Sequence, residues 1–139
     1  MSRIKIDVEP GDDVVSDLFR LGTTFNKMIQ SNVRFLRMID SEYHNLHPVL
    51  WKNLLNCYNE YVSLFSTYFR HAKEKGLIAD INEEIAAIAF FSFFYRSLVD
   101  RIFHDRDPLL RLDGINIRRF VTQFVGGLQK DKEKPKQGI

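Results

Sequence analysis

The chain has 139 residues, 45 % hydrophobic and 27 % charged, with a formal net charge of +2. That size and balance suit one globular domain with its own core, and mild basicity spread along the chain argues against a nucleic-acid surface. The unusual total is aromatic: 12 Phe against one Trp, more Phe than most folds need unless helices pack on all sides or a cavity is lined.

A single cysteine, Cys57, excludes an internal disulfide and fits a reducing cytoplasm. The opening MSRIKIDVEPGDD lacks the apolar core of a signal peptide. No run approaches the roughly 18 apolar residues that a membrane-spanning helix needs. A cytoplasmic protein with no membrane segment is therefore expected.

Residues 1–11 read as an N-terminal linker remnant, with a short alternation at Ile4-Lys5-Ile6-Asp7-Val8. From Asp12 the apolar residues Val14, Val15, Leu18, Phe19, Leu21, Phe25, Met28 and Ile29 follow the spacing of an amphipathic helix, with Asp12 or Asp13 as its N-cap. Ser31-Asn32 makes a weak break. Val33, Phe35, Leu36, Met38 and Ile39 then resume a helical pattern that fades through residues 41–45.

His47-Pro48 starts the next helix, because Pro suits the first helical position. Its apolar stripe is Trp51, Leu54, Leu55, Tyr58, Tyr61, Val62, Phe65, Tyr68, Phe69 and Ala72. Lys73, Lys75 and Gly76 close it, with cations at the negative end of the dipole and Gly for a left-handed cap. A further helix begins at Asp80 to Asn82 and runs to about His104. After the turn Arg106-Asp107-Pro108, a last helix follows Asp113-Gly114, with Ile117, Phe120, Val121, Phe124 and Leu128 on one face. The fold class is all-α, with about five helices. Residues 12–129 form the domain, and 130–139 a disordered basic tail.

The densest aromatic stretch is AAIAFFSFFYRSL, residues 86–98. On a helical wheel Ala87, Ile88, Phe91, Phe94, Tyr95, Leu98, Val99 and Ile102 make one broad arc, as a core-facing helix does. Phe90 and Phe93 fall on the other side, beside Ala86, Ala89, Ser97 and Asp100. Five helices offer too few neighbours to wrap one of them completely, and two exposed Phe side by side are a liability. The second surface is therefore expected to meet another copy of the chain. The narrow seam of the last helix, ending in Gly126-Gly127, suits antiparallel packing in a bundle. The expected interface comprises Phe90, Phe93, Ser97, Ile117, Phe120, Val121 and Phe124.

Catalytic chemistry finds no foothold. No glutamate is followed three residues later by a histidine, as carboxylate-bridged metal sites in bundles require. His44 and His47, with Glu42 nearby, read as a helix-end cluster rather than a metal site. There is no nucleophile motif, phosphate loop or dinucleotide fingerprint. No enzyme, metal or cofactor is expected. Cys57, at the margin of the apolar stripe with no basic or resolving partner adjacent, reads as a structural thiol.

A ligand pocket would draw on aromatics and Met from facing helices: Phe25, Met28, Phe35, Met38, Tyr58, Tyr61, Phe91 and Tyr95. Met adapts to irregular shapes and tyrosines supply orienting polar groups, so a small apolar or aromatic molecule fits the set. The same residues also suit a filled core.

A helix beginning HPVLW, the lysine-rich turn AKEKGLI, the capped ADINEEIAAIAFFSFF and the final INIRRFVTQFVGGL together resemble the C-terminal regulatory domain of the TetR family of transcriptional regulators. LFRLGTTFNKMIQSNVRFLRMIDSE is similar to that domain's earlier helices, and the likeness covers roughly residues 12 to 129. The resemblance implies dimerisation through the last two long helices in a four-helix bundle, and an apolar effector pocket in each subunit. It also implies a helix-turn-helix head that contacts DNA. Residues 1–11 are too few for that head, so DNA contact is expected only through a helix-turn-helix not present in this chain. The alternative is a helical adaptor that uses its aromatic surface to bind another protein and has no small-molecule pocket.

Overall fold

The computed structural model describes residues 7–11, 13–42, 47–103 and 112–128, with side chains placed except at 32–42, 47–51, 53–55 and 97–103. Four helices stand among the described residues: α1, Val14–Glu42; α2, His47–Glu74; α3, Glu83–Phe103; and α4, Gly114–Leu128. The domain is all-α, and no helix among the described residues is long and apolar enough to cross a membrane.

The number of helices corrects the sequence reading at one place. The break expected at Ser31-Asn32 is absent, and α1 runs through it for 29 residues. The Ser31 hydroxyl donates to the carbonyls of Lys27 at 2.7 Å and Met28 at 3.3 Å. A side chain able to interrupt a helix is thereby satisfied by the helix itself.

The starts of α1, α3 and α4 each have a capping side chain. Asp13 accepts from the Val15 N–H at 3.1 Å and from the Ser16 hydroxyl at 2.7 Å, settling the cap of α1 on Asp13. Asn82 caps α3 by accepting from the Ile85 N–H at 2.9 Å. Asp113 does the same for α4 through the Asn116 N–H at 2.9 Å. At the end of α2, Gly76 takes φ 76°. The Leu77 N–H reaches the Ala72 carbonyl at 2.9 Å and the Gly76 N–H reaches that of Lys73 at 3.0 Å. This double closure is a Schellman motif, and its left-handed residue favours glycine.

The helices run alternately up and down. Phe25 of α1 meets Tyr61 of α2 at 4.4 Å between ring centroids, and Asp17, earlier in α1, meets Tyr68, later in α2. Those pairings place the two helices antiparallel. Tyr58 meets Tyr95 while Phe69 meets Phe90, which makes α3 antiparallel to α2. Phe93 stacks on Phe120 at 3.8 Å, and Phe90 also reaches Phe124, so α4 returns beside α3. The α4 end is tied to the α2–α3 connection by the Ala79 N–H, 2.7 Å from the Leu128 carbonyl.

The core is built from these facing stripes: Leu18, Leu21 and Phe25 from α1; Tyr61, Phe65, Tyr68 and Phe69 from α2; Phe90, Phe91 and Phe94 from α3; and Ile117, Val121 and Val125 from α4. Burying each large side chain contributes roughly 1.5–3 kcal/mol relative to exposure. Gly22 sets how closely α1 approaches α3. A Cβ there would stand 2.6 Å from Phe94 Cζ and 3.3 Å from Phe90 Cζ, so only a residue without a side chain lets both rings lie against the helix.

The orientation of α3 overturns the wheel reading. Phe90 is 0 % exposed, whereas Ile88, assigned to the core arc, is 43 % exposed. Phe90 lies against Phe65 and Phe69 of α2 and Phe120 and Phe124 of α4. Spacing fixed which residues share a side of α3, but its neighbours decide which side is covered. Gly22 of α1, Phe65 and Phe69 of α2, and Phe120 and Phe124 of α4 all meet α3 on the Phe90 side, and the buried sector rotates toward Phe90.

Candidate ligand-binding cluster

Two aromatic groups share α3. The lower one is almost pure phenylalanine. The other contains tyrosines and lies between α1, α2 and α3. In it Phe25 packs on Tyr61 at 4.4 Å and on Phe91 at 5.0 Å. Tyr58 meets Phe91 edge-on at 4.4 Å, and Tyr95 stacks on Phe91 at 5.5 Å and faces Tyr58 at 6.1 Å. Three helices contribute because each places an apolar residue at the matching height: α1 one, α2 two a turn apart, and α3 two a turn apart.

Phe25, Tyr61 and Phe91 form the buried floor, at 2–3 % exposure. Tyr58, Tyr95, Met28 and Cys57 are half-buried around it. Edge-on and offset rings are the favoured aromatic geometry. Burial, then the neighbouring Cys57 and Glu60, push the Tyr61 phenol up to about 12. Burial and Glu60 also push the Cys57 thiol up. At neutral pH both stay protonated, so the cluster offers ring faces, a thioether, a thiol and hydroxyls but no thiolate nucleophile. Ring faces with a few hydroxyls are the composition that sites for apolar or aromatic molecules use.

Of the eight pocket residues expected from sequence, the structure brings Phe25, Tyr58, Tyr61, Phe91 and Tyr95 into one cluster, with Met28 packed against the same core. The side chains of Phe35 and Met38 lie outside the described residues. The expected interface set divides. Phe90, Ile117 and Val121 are interior, at 0–2 % exposure, because they face the core shared by the helices of the same chain, with α4 rings against Phe90. Phe93, Phe120 and Phe124 are half-buried at the α3–α4 edge, and the Ser97 side chain is outside the described set. So are Glu42, His44 and His47. Among the described residues no three His, Cys, Asp or Glu side chains gather as a metal site would require.

Sequence reasoning passed over two polar features. Asn26, 8 % exposed, donates to the Leu112 carbonyl at 3.3 Å and so binds α1 to the start of α4. Asp17 accepts from the Tyr68 hydroxyl at 2.7 Å. Both partners are distant in sequence, and no local pattern signals either pairing. The chain matches no protein-family model, no curated protein and no solved structure.

Proposed function

We propose that the chain is a small-molecule-binding and homodimerisation domain of the TetR regulator type, controlling an attached DNA-binding head outside these 139 residues. The observation that carries this reading is the cluster of Phe25, Tyr58, Tyr61, Phe91 and Tyr95, which joins three helices at one height. An occupant there touches α1, α2 and α3 together and biases their relative positions. The effector is an apolar or aromatic molecule carrying a hydrogen-bonding group, and the domain performs no catalysis.

Support for dimerisation comes from the outer side of α3 and α4. Ile85 is 67 % exposed, and Gly126 and Gly127 leave open space where a Cβ would stand. Two glycines on an exposed helical stretch cost helix stability, a cost offset when a second backbone approaches closely. The self-association surface of this proposal is that outer face with the half-buried Phe93, Phe120 and Phe124 at its edge, not the interior Phe90.

Thermal shift against a panel of hydrophobic and aromatic compounds tests the ligand reading. A binder raises the midpoint with concentration by mass action, and Tyr58→Ala with Tyr95→Ala abolishes the rise. A panel without any such response overturns it. Light scattering tests the second part: twice the 16.4 kDa chain mass is expected, falling to one chain in Ile85→Glu with Gly127→Glu. A helical adaptor is the competing reading, favoured by the exposed isoleucines 85, 88 and 115. It predicts no thermal response to small molecules.

A further inference from the structure

Away from the aromatic cluster, one carboxylate joins three segments of the chain. Asp17 lies in the first turn of α1. Its Oδ2 accepts from the Tyr68 hydroxyl of α2 at 2.7 Å and from the Gly11 backbone N–H at 2.9 Å. Gly11 permits that approach, since a Cβ there would stand 3.2 Å from Asp17 Oδ1. We propose that Asp17 and Tyr68 form a latch through which the position of α2 decides whether the segment 7–11 stays docked on the bundle.

The segment is laid along the last turns of α2. Val8 packs against the core and Pro10 is buried. Lys75 Nζ donates to the Pro10 carbonyl at 3.3 Å, and His71 Nδ1 lies 3.1 Å from Glu9 Oε1. Lys75 and Glu9 are exposed, and water-screened contacts of this kind hold weakly. The Asp17 joint differs because its donor cannot move independently. Tyr68 is 0 % exposed, and its ring meets Phe69, which in turn meets Phe90 and Phe124. The hydroxyl is fixed where the core places it. Hydrogen bonds weaken steeply once distance and alignment are lost, so a small displacement of α2 leaves Asp17 without its interior donor. The carboxylate is then free to rotate away from Gly11.

Tyr58 and Tyr61 stand on the same helix, with Tyr61 about 10 Å along the axis from Tyr68 at 1.5 Å per residue. A molecule that shifts α2 at the cluster would open the latch at its other end. That extension rests on the ligand reading of the cluster; the latch itself does not.

Amide hydrogen exchange of the full chain, followed by NMR without added ligand, tests the latch. Tyr68→Phe keeps the ring and removes only the hydroxyl. Exchange of the Gly11 amide is expected to accelerate at least tenfold while the Phe94 amide is unchanged. Asp17→Leu, which is of similar length and removes both acceptor oxygens, should give the same pattern. The double variant should add little, because both changes open one joint. Unchanged Gly11 exchange in Tyr68→Phe overturns the proposal. So does equal acceleration at Gly11 and Phe94, which reports global loosening, or full additivity in the double variant. If Tyr68→Phe does not fold, the Asp17→Leu comparison of Gly11 with Phe94 decides alone. Failure here leaves the ligand reading standing, and a silent compound panel leaves the latch standing.

Discussion

Phe90 and Phe91 are adjacent in sequence and belong to different chemistries. Phe90 enters a knot with Phe65, Phe69, Phe94, Phe120 and Phe124. Phe91 enters the group with Phe25, Tyr58 and Tyr95. In the knot every ring is a hydrocarbon, so close packing leaves no polar atom to satisfy. In the cluster the rings nearest the surface are tyrosines, whose hydroxyls can reach water or a ligand while their faces cover the floor. The difference separates a region sealed inside the bundle from one whose outer rings keep polar groups at the surface.

Truncating one ring in each region gives the largest contrast. Phe90→Ala empties the centre of the knot and is expected to cost about 3–5 kcal/mol, read as a fall in the urea midpoint. Tyr58→Ala removes a half-buried ring at the rim and should cost about 1 kcal/mol. Equal losses would erase the distinction between scaffold and site. Placing a charge at Phe90 should likewise unfold the chain, because that residue has no free face from which a monomer could be released.

Alkaline titration sharpens the comparison with a smaller effect. The Tyr61 phenol is pushed up to about 12 from its ordinary 10, chiefly by burial. Between those values the unfolded chain has released the proton and the folded chain has kept it. Stability therefore falls as pH rises through this window, by about 1.4 kcal/mol per pH unit for one such group. Burial and the Asp17 hydrogen bond push Tyr68 up as well, so it adds to the slope in the same sense. The readout is accordingly the difference between the parent chain and Tyr61→Phe. Urea unfolding from about pH 9 to 11.5 should show a shallower decline in the variant. Identical slopes would mean that Tyr61 is not held in the apolar floor.

Helices and their caps were legible in the sequence because both depend on near neighbours. The stripe from Tyr58 to Ala72, the Gly76 closure and the start after Asp113 all stand in the structure. The aromatic cluster was legible in part, since Phe25, Tyr61 and Phe91 sit on apolar faces at usable spacing. The rotation of α3 was not. A wheel gives angular order without an origin, and the origin here comes from α4 pressing on Phe90 and from Gly22 admitting two rings. Nor was the Asp17–Tyr68 pairing, which spans 51 residues and leaves no periodic trace.

The smallest expected effect lies in the loop that closes the phenylalanine end. Lys73 Nζ donates to Glu83 Oε2 at 2.8 Å and to the Ile81 carbonyl at 3.0 Å, with Asp80 at 3.7 Å. That hydrogen bond from Lys73 holds the Glu83 carboxyl below its ordinary range. A lowered carboxyl stabilises the fold above the ordinary glutamate range and loses that contribution as pH falls through its own lowered value. Glu83→Gln should therefore lower the thermal midpoint slightly at neutral pH and leave it unchanged in strong acid, where the parent carboxyl is also neutral. Salt at about 1 M, where screening acts within about 3 Å, should shrink the neutral-pH difference. A loss rivalling that of Phe90→Ala would overturn the ranking, because the loop rather than the rings would then be holding α2 against α3.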